Sequence, residues 1–370
     1  MKNKQLLATA FCVIALLVIL QGCKKSSVDD NNNNGGGGNT NPPPPTAKIV
    51  YVAGMEINSG GKNVAMYWKN DTAVKLTDGS RDAVARSVFV SGNDVYVSGY
   101  QDKAGSVLNI ATYWKNGIAF PLSITGIGGT FDAANSIFVS GDDVYAAGFE
   151  RAANGNDVAK YWKNGTPVNL TDGSKDADAQ SIFISGTDVY VAGSEAKTVT
   201  SSTSIAKYWK NGVAVALTDG STDASAMSVV VVRTDVYVAG TVNDITGYAK
   251  AVYWKNGTQV SLSGGSQNSY GFALAISGSD IYVGGRNGNT SIVSGYWKNN
   301  FSNFINLAPA ATYEAGEETV GGIVVSGTDV YAAGSFKMGG KSRAVYWKNN
   351  IPVHLGNIGL HNSAGGIFVK

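Results

Sequence analysis

Seven copies of the tetrapeptide Tyr-Trp-Lys-Asn divide this chain of 370 residues and contain all seven of its tryptophans. The copies follow one another at spacings of 43 to 50 residues and begin at Tyr67, Tyr113, Tyr161, Tyr208, Tyr253, Tyr296 and Tyr346. A unit of this length is a supersecondary element that buries its apolar face against its neighbours. The repeat therefore predicts one array of seven units, although the length alone would allow two average domains.

Each unit contains four short predicted strands. The segments 181–184, 189–193 and 213–217 are rich in β-branched and aromatic residues and are bounded by turn residues. Asn-Gly pairs that follow the tryptophans, such as Asn211-Gly212, are typical of two-residue hairpin turns. Four antiparallel strands at this period predict the blade of a β-propeller.

The two ends of the repeat region complement each other. The region opens midway through a unit, at residues 49–54, and it ends at residues 366–369 with the first strand of a unit. A ring that is closed by pairing these two segments leaves no exposed sheet edge between the termini. We therefore predict an all-β fold, a seven-bladed β-propeller over residues 48–370, whose C-terminal strand joins the N-terminal blade.

The repeat resembles a known group of exported repeats. An Ala-x-Tyr-Trp-x-Asn-Gly hairpin, a Leu-Thr-Asp-Gly-Ser link and a Ser-Ile-Phe-Val-Ser-Gly strand recur along residues 48–370. This pattern is similar to bacterial extracellular propeller repeats, including the HAF-type repeats with their Leu-Trp-x-x-Gly hairpin. The resemblance implies an exported propeller and says little about its ligand.

The N-terminus has the features of a lipoprotein leader. Lys2 and Lys4 precede an apolar run of 15 residues, which is shorter than the ~20 residues needed to span a bilayer. The sequence Leu-Gln-Gly-Cys that ends at Cys23 resembles the lipobox of bacterial lipoproteins. We therefore predict a signal peptide over residues 1–22 and lipidation of Cys23.

Residues 23–47 are predicted to form a disordered tether. Runs of Asn, Gly and Pro leave this segment almost nothing apolar to bury, so it cannot offset the entropy cost of ordering. The lipid would hold the propeller at the bacterial cell envelope. Because Lys24 rather than aspartate follows the cysteine, we expect the outer membrane or the cell surface.

Net charge argues against a nucleic-acid partner. Removal of Lys2 and Lys4 with the leader leaves 27 basic and 27 acidic side chains, so the mature chain has no formal net charge. We expect a monomer whose partners are the membrane, through the lipid, and a glycan or a protein.

Repeated charges mark one face of the predicted ring, which we call the turn face. It carries the first-to-second and third-to-fourth hairpin turns of every unit. Six aspartates that close the first hairpin should lie there beside the seven lysines of the tetrapeptide: Asp94, Asp143, Asp188, Asp235, Asp280 and Asp329. We expect these charges to neutralise each other and to serve turn structure rather than binding.

The opposite face, the loop face, carries the second-to-third loops and the links between units. A polar residue recurs there just before each innermost strand, at Asp82, Asp132, Asp176, Asp223, Asn268, Glu317 and His361. Glu150 and Glu195 share this face, and Arg286 and Tyr313 depart from the repeat. The predicted ligand site is therefore an acidic loop face formed by these residues.

Two other interpretations of the acidic residues remain open. Each aspartate of the ring can cap its own turn. Asp172, Asp176 and Asp178 can bind Ca²⁺ locally, whereas the whole ring is too wide to meet one ion. No other cofactor is expected.

The sequence favours a binding or scaffold protein over an enzyme. It lacks a cysteine nucleophile in the folded part, a zinc-ligand cluster, a Gly-x-Ser-x-Gly motif and a phosphate-binding loop, so we name no catalytic residue. The alternative is a glycan-active hydrolase or lyase whose two carboxyl groups lie within the loop face.

Overall fold

A computed structural model describes residues 47–106, 108–123, 131–264, 266–289, 292–300, 303–307, 314–357 and 359–370, and in residues 314–318 it describes the backbone alone. Twenty-eight strands form seven four-stranded antiparallel sheets over these ranges. The predicted seven-bladed β-propeller is confirmed. Within the same ranges no helix is long and apolar enough to cross a membrane.

The strands of the first four blades in chain order are β1 (Val50–Ile57), β2 (Asn63–Lys69) and β3 (Thr72–Lys75); β4 (Ala83–Ser91), β5 (Asp94–Asp102), β6 (Asn109–Lys115) and β7 (Ile118–Pro121); β8 (Ala133–Ser140), β9 (Asp143–Arg151), β10 (Asp157–Lys163) and β11 (Thr166–Asn169); and β12 (Ala177–Ser185), β13 (Asp188–Ala196), β14 (Ser204–Lys210) and β15 (Val213–Ala216). The strands of the last three blades and the closing strand are β16 (Ala224–Val232), β17 (Asp235–Asn243), β18 (Ala249–Lys255) and β19 (Thr258–Ser261); β20 (Ser269–Ser277), β21 (Asp280–Asn287), β22 (Val293–Lys298) and β23 (Phe304–Asn306); β24 (Glu314–Ser326), β25 (Asp329–Met338), β26 (Lys341–Lys348) and β27 (Ile351–His354); and β28 (Asn362–Val369).

The ring closes through the two ends of the propeller. Strand β28 is the innermost strand of blade 1, in the order β28-β1-β2-β3, as the sequence predicted. Tyr51 faces Phe368 in this register, and the backbones of Ile49 and Lys370 exchange two hydrogen bonds of 2.9 Å. The innermost strands of successive blades contact each other around the full ring, including β24 with β28 and β28 with β4.

The repeated tryptophans are packing residues. All seven are at most 1% exposed and lie on the third strands of their blades. An aromatic side chain of this size buries about 150 to 250 Å² and dominates the energy of the core around it. At this burial the seven rings do not form exposed platforms on which sugars could stack.

The rest of the tetrapeptide builds the turn face. Its asparagine adopts a positive φ of 49 to 67° in every blade, as a two-residue hairpin turn requires. In six blades the asparagine amide donates to the aspartate of the first hairpin at 2.7 to 2.9 Å. The lysine pairs with the same aspartate at 2.7 to 3.3 Å, so the predicted neutralisation is confirmed. The amide and the ammonium hold the pKa of Asp94 and its equivalents below the ordinary range.

The links between blades are fixed by their leucines. The backbone N–H of each link leucine donates to a carbonyl of the preceding third strand at 2.7 to 2.9 Å, in Leu76, Leu122, Leu170, Leu217, Leu262, Leu307 and Leu355. These leucines are buried or half-buried. The repeated link therefore crosses the loop face in the same way in every blade, and departures from its sequence change that face locally.

Candidate functional site

Most of the predicted polar ring on the loop face connects neighbouring blades. In five members the side chain accepts a hydrogen bond of 2.8 to 3.2 Å from a backbone N–H at the start of the third strand of the preceding blade. The backbone carbonyl of the same residue accepts from the second strand of its own blade at 2.8 to 2.9 Å. These inter-blade acceptors are Asp82, Asp176, Asp223, Asn268 and His361.

The turn-capping role belongs to other aspartates. Asp78, Asp172 and Asp219 each accept from the N–H of the serine two residues later, at 2.8 to 2.9 Å. The sequence interpretation assigned this local role to the ring, whereas the ring side chains reach across to the preceding blade. Asp82 also pairs with Lys62 at 2.8 Å. Burial alone raises the pKa of Asp82, but its hydrogen bonds to Lys62 and to the Asn63 N–H hold the net pKa below its ordinary value.

An aspartate and an asparagine should serve equally as inter-blade acceptors, because Asn268 already does so in blade 6. We expect Asp223→Asn to leave the free energy of unfolding nearly unchanged. Asp223→Ala leaves the Ser204 N–H without this acceptor and should cost about 1 kcal/mol, since the site is exposed to water. Denaturant unfolding of the two variants measures the difference. Equal losses in both would show that the carboxylate charge matters instead of the acceptor.

Asp132 differs from the other ring members. The segment from Asp132 to Ser136 is one residue shorter than the segment from Asp82 to Ser87. Phe131 therefore takes the backbone position that Asp82 holds, and it bridges to Asn109. Asp132 is 3% exposed, and its Oδ1 accepts from the Arg151 N–H at 3.0 Å in its own blade. Burial raises the pKa of its carboxyl.

Three further predicted site residues have no described side chain. Tyr313 lies outside the described residues, and so do Cys23 and the leader. The backbone of Glu317 belongs to strand β24.

Basic side chains pair with the acids of the loop face. Glu150 pairs with Lys160 at 2.5 Å. Glu195 pairs with Lys207 and, at 3.3 Å, with Lys175. Arg151 and Asp157 form a bidentate ion pair at 2.6 and 3.1 Å. Lys250 pairs with Asp244 at 3.1 Å. Third-strand and link cations that the sequence argument did not count therefore lie beside the predicted acids, and the acidic character of the face as a whole stays a prediction.

The structure does not bring together the carboxylates of the suggested calcium site. Asp172 caps its own turn, Asp176 accepts from the Asp157 N–H, and Asp178 accepts from the N–H and the hydroxyl of Ser194. Over the described ranges, no three His, Cys, Asp or Glu side chains are grouped closely enough to hold a metal ion.

Arg286 lies in a stack of aromatic rings on blade 6. Its guanidinium lies 4.3 Å from the ring centroid of Tyr270 and 5.8 Å from that of Phe272. Tyr270 is its direct strand partner. Two ring faces therefore contact this charge.

The residue after Arg286 points to the other side of the strand and lines a pocket on the loop face. This pocket has a volume of about 120 Å³. It lies beneath the link from blade 5 to blade 6 and is lined by Leu262, Ser263, Gly264, Ser266, Gln267, Asn287 and Trp297. None of these described lining residues carries a charge.

The pocket arises where the link departs from its repeated sequence. Ser263 and Gly264 replace the Thr-Asp pair that three of the other links carry, such as Thr77-Asp78. Thr77 accepts from the N–H of Ala65, but the equivalent N–H of Ala251 donates to Ser269 instead, at 2.9 Å. The Ser263 hydroxyl is consequently buried without a hydrogen-bond partner in the described structure. Sequence reasoning noted the change at Arg286 but missed this one.

The fold has counterparts among solved structures, although neither a known protein family nor a curated protein matches the chain. A puromycin-hydrolyzing peptidase from Mycobacterium tuberculosis is similar with a TM-score of 0.55 and 13% identity, over 84% of this chain and 53% of the peptidase. The β-propeller domain of the Trilobed protease from Pyrococcus furiosus, which has an open velcro topology, is similar with a TM-score of 0.49 and 9% identity, over 84% of this chain and 94% of that domain. An acylaminoacyl peptidase from Pyrococcus horikoshii is similar with a TM-score of 0.49 and 11% identity, over 84% of this chain and 51% of the peptidase.

This chain spans about half the length of the two peptidases. At these identities the first similarity concerns architecture and carries no activity with it. The chain is, on its own topology and on that comparison, a seven-bladed β-propeller.

Proposed function

We propose that this protein is a lipid-anchored binding module of the bacterial cell envelope, with its ligand site on the loop face. The observation that carries the proposal is the position of both propeller ends on the turn face. The Lys48 ammonium contacts the Ser326 carbonyl and lies 3.5 Å from Asp329, at the first hairpin turn of blade 7. The Lys370 ammonium contacts the Gly92 carbonyl, at the first hairpin turn of blade 2.

The point at which the tether joins the propeller determines which face the membrane meets. The predicted tether from Lys24 to Ala47 has 24 residues, and a flexible chain of that length has an average span of about 27 Å. That span is comparable with the ~30 Å length of a nine-residue strand. An anchor at Cys23 therefore keeps the turn face nearer the bilayer and presents the loop face outward.

The loop face is the better candidate for binding because it varies between blades. The turn face repeats one Asp-Asn-Lys arrangement in six blades. The loop face carries the pocket, the Arg286 stack and exposed apolar tips such as Ile245. A glycan or a protein is the class of ligand that such a face would meet outside the cell.

A hydrolase is less well supported. A glycoside hydrolase needs two carboxyl groups that reach the substrate, one of them with a raised pKa. Asp132 has a raised pKa, but it is 3% exposed. The described lining of the pocket contains no acid. The chain covers about half of the peptidase from Mycobacterium tuberculosis, so the hydrolysis named for that protein does not transfer with the fold.

Lipidation and orientation are tested on the full chain expressed in a bacterium that processes lipoproteins. We expect Cys23 to incorporate an alkyne-labelled fatty acid and Cys23→Ser to abolish the label. Thr187→Cys on the turn face and Ser202→Cys on the loop face provide matched, exposed sites for a fluorophore. On vesicles that contain a quencher lipid, the fluorophore at 187 should be quenched more strongly than that at 202. Label that persists in Cys23→Ser contradicts the anchor, and the reverse order of quenching contradicts the orientation.

A further inference from the structure

We propose that the pocket beside Trp297 binds the hydroxyl-bearing edge of one neutral sugar residue. The inference names a ligand class for the loop face and so rests on the proposed binding role, but it does not depend on the lipid anchor.

The size of the pocket limits what enters it. A volume of about 120 Å³ equals that of roughly four water molecules at ~30 Å³ each. Pockets that enclose a complete drug-sized ligand are larger, at about 300 to 1,000 Å³. The pocket therefore holds one edge of a larger molecule, such as the ring hydroxyls or the hydroxymethyl group of a terminal sugar.

The lining groups match hydroxyls rather than charges. Ser263 and Ser266 provide hydroxyl groups, and Gln267 and Asn287 provide carboxamides. Each of these groups both donates and accepts hydrogen bonds, as sugar hydroxyls do. A carboxylate, phosphate or ammonium group would find no counter-charge in this lining, and the guanidinium of Arg286 lies against Tyr270 on the other side of the strand.

The equivalent positions of blade 4 carry charged side chains, which the pocket lacks. Lys175 and Glu195 occupy the positions equivalent to Gln267 and Asn287, and they form an ion pair at 3.3 Å. In blade 6 two amides replace that pair, and Gly264 replaces the link carboxylate of Asp172. These three changes remove both volume and charge at one site of the ring.

The hydroxyl of Ser263, one of the lining residues, has no hydrogen-bond partner among the described residues. The protein therefore leaves the donor and acceptor capacity of this hydroxyl unused.

Saturation-transfer NMR on the full chain with Cys23→Ser, which carries no lipid, tests the proposal. The probes are glucose, galactose, mannose and N-acetylglucosamine, with glucuronate as the charged comparison. We expect at least one neutral sugar to bind with a Kd on the order of 1 mM, about 4 kcal/mol, and glucuronate to bind at least tenfold more weakly.

Two substitutions assign the binding to the pocket. Asn287→Glu restores the acid of Glu195 and should weaken sugar binding at least tenfold. Val242→Glu places the same charge at the equivalent position of blade 5 and should leave binding unchanged. Thermal melting of both variants is the control that checks whether they fold.

Three results would overturn the inference: no response to any neutral sugar, equal binding of glucuronate, or unchanged binding in Asn287→Glu. The lipid-labelling and quenching experiments measure the anchor and the orientation separately. A failure of sugar binding with those results intact would therefore reject the ligand class and leave the envelope binding module standing.

Discussion

Truncation of the chain after His361 is expected to abolish cooperative folding of the propeller. The deletion removes strand β28, whose side chains Ile367, Phe368 and Val369 are buried. Burial of three such side chains contributes about 5 to 9 kcal/mol, which is comparable with the total stability of a typical domain, about 5 to 15 kcal/mol. The truncation also exposes the inner edge of β1, which is then free to pair with other chains.

The effect should extend beyond blade 1. Phe368 contacts Phe89 of the next blade with ring centroids 5.1 Å apart, and Phe89 contacts Phe138 at 4.9 Å. On the other side the backbone of Gly365 approaches Gly322 so closely that a Cβ on Gly322 would lie 2.6 Å from the Gly365 carbonyl oxygen. The closing strand is therefore packed between blades 7 and 2, and its loss removes both contacts.

Thermal melting followed by circular dichroism measures this prediction. Lys370→Ala is the matched control, because that side chain is exposed and the substitution keeps both backbone hydrogen bonds with Ile49. The control should melt close to the intact chain, whereas the truncated chain should lose its cooperative transition and aggregate. A truncated chain that melts sharply near the original temperature would show that six complete blades hold the ring without the closing strand.

The blade count and the closure were predictable because their signals are local. The Asn116-Gly117 turn and the tryptophans repeat at a fixed distance along the chain, and the half-units at the two termini need only be matched to each other. The role of the polar ring was not predictable in this way. Asp223 meets the Ser204 N–H 19 residues earlier, in another blade, and no local pattern indicates which N–H a carboxylate will reach.

The ion pairs and the pocket of the loop face also could not be predicted by aligning the repeats one position at a time. The Lys175–Glu195 pair joins residues 20 positions apart, and an alignment of acids alone does not count the lysine. One missing residue between Asp132 and Ser136 shifts Phe131 into the ring position, which an alignment by residue type conceals. The pocket forms because the uncharged residues Gly264, Gln267 and Asn287 coincide with the transfer of one backbone hydrogen bond to Ser269, and only side-chain packing reveals that coincidence.

Replacement of a repeated tryptophan is expected to have the second-largest effect on stability. Trp254 is fully buried in the largest apolar cluster, which spans several blades. Trp254→Ala should lower the free energy of unfolding by about 3 to 5 kcal/mol, because the lost apolar contact is accompanied by a cavity that the sheets cannot close. Val213→Ala on the exposed outer strand of blade 4 serves as the control, and it should change stability by less than about 0.5 kcal/mol.

Trp254→Phe separates packing from hydrogen bonding at the same site. The indole N–H of Trp254 is buried without an acceptor in the described structure, as are those of Trp68, Trp114, Trp162 and Trp347. Phenylalanine keeps part of the apolar contact and removes an unpaired donor, which otherwise costs about 1 to 3 kcal/mol. We therefore expect Trp254→Phe to cost less than half as much as Trp254→Ala in denaturant unfolding. Equal costs would mean that the indole N–H makes an interaction in solution that phenylalanine cannot replace, and the repeated tryptophan would then be selected for that donor as well as for its volume.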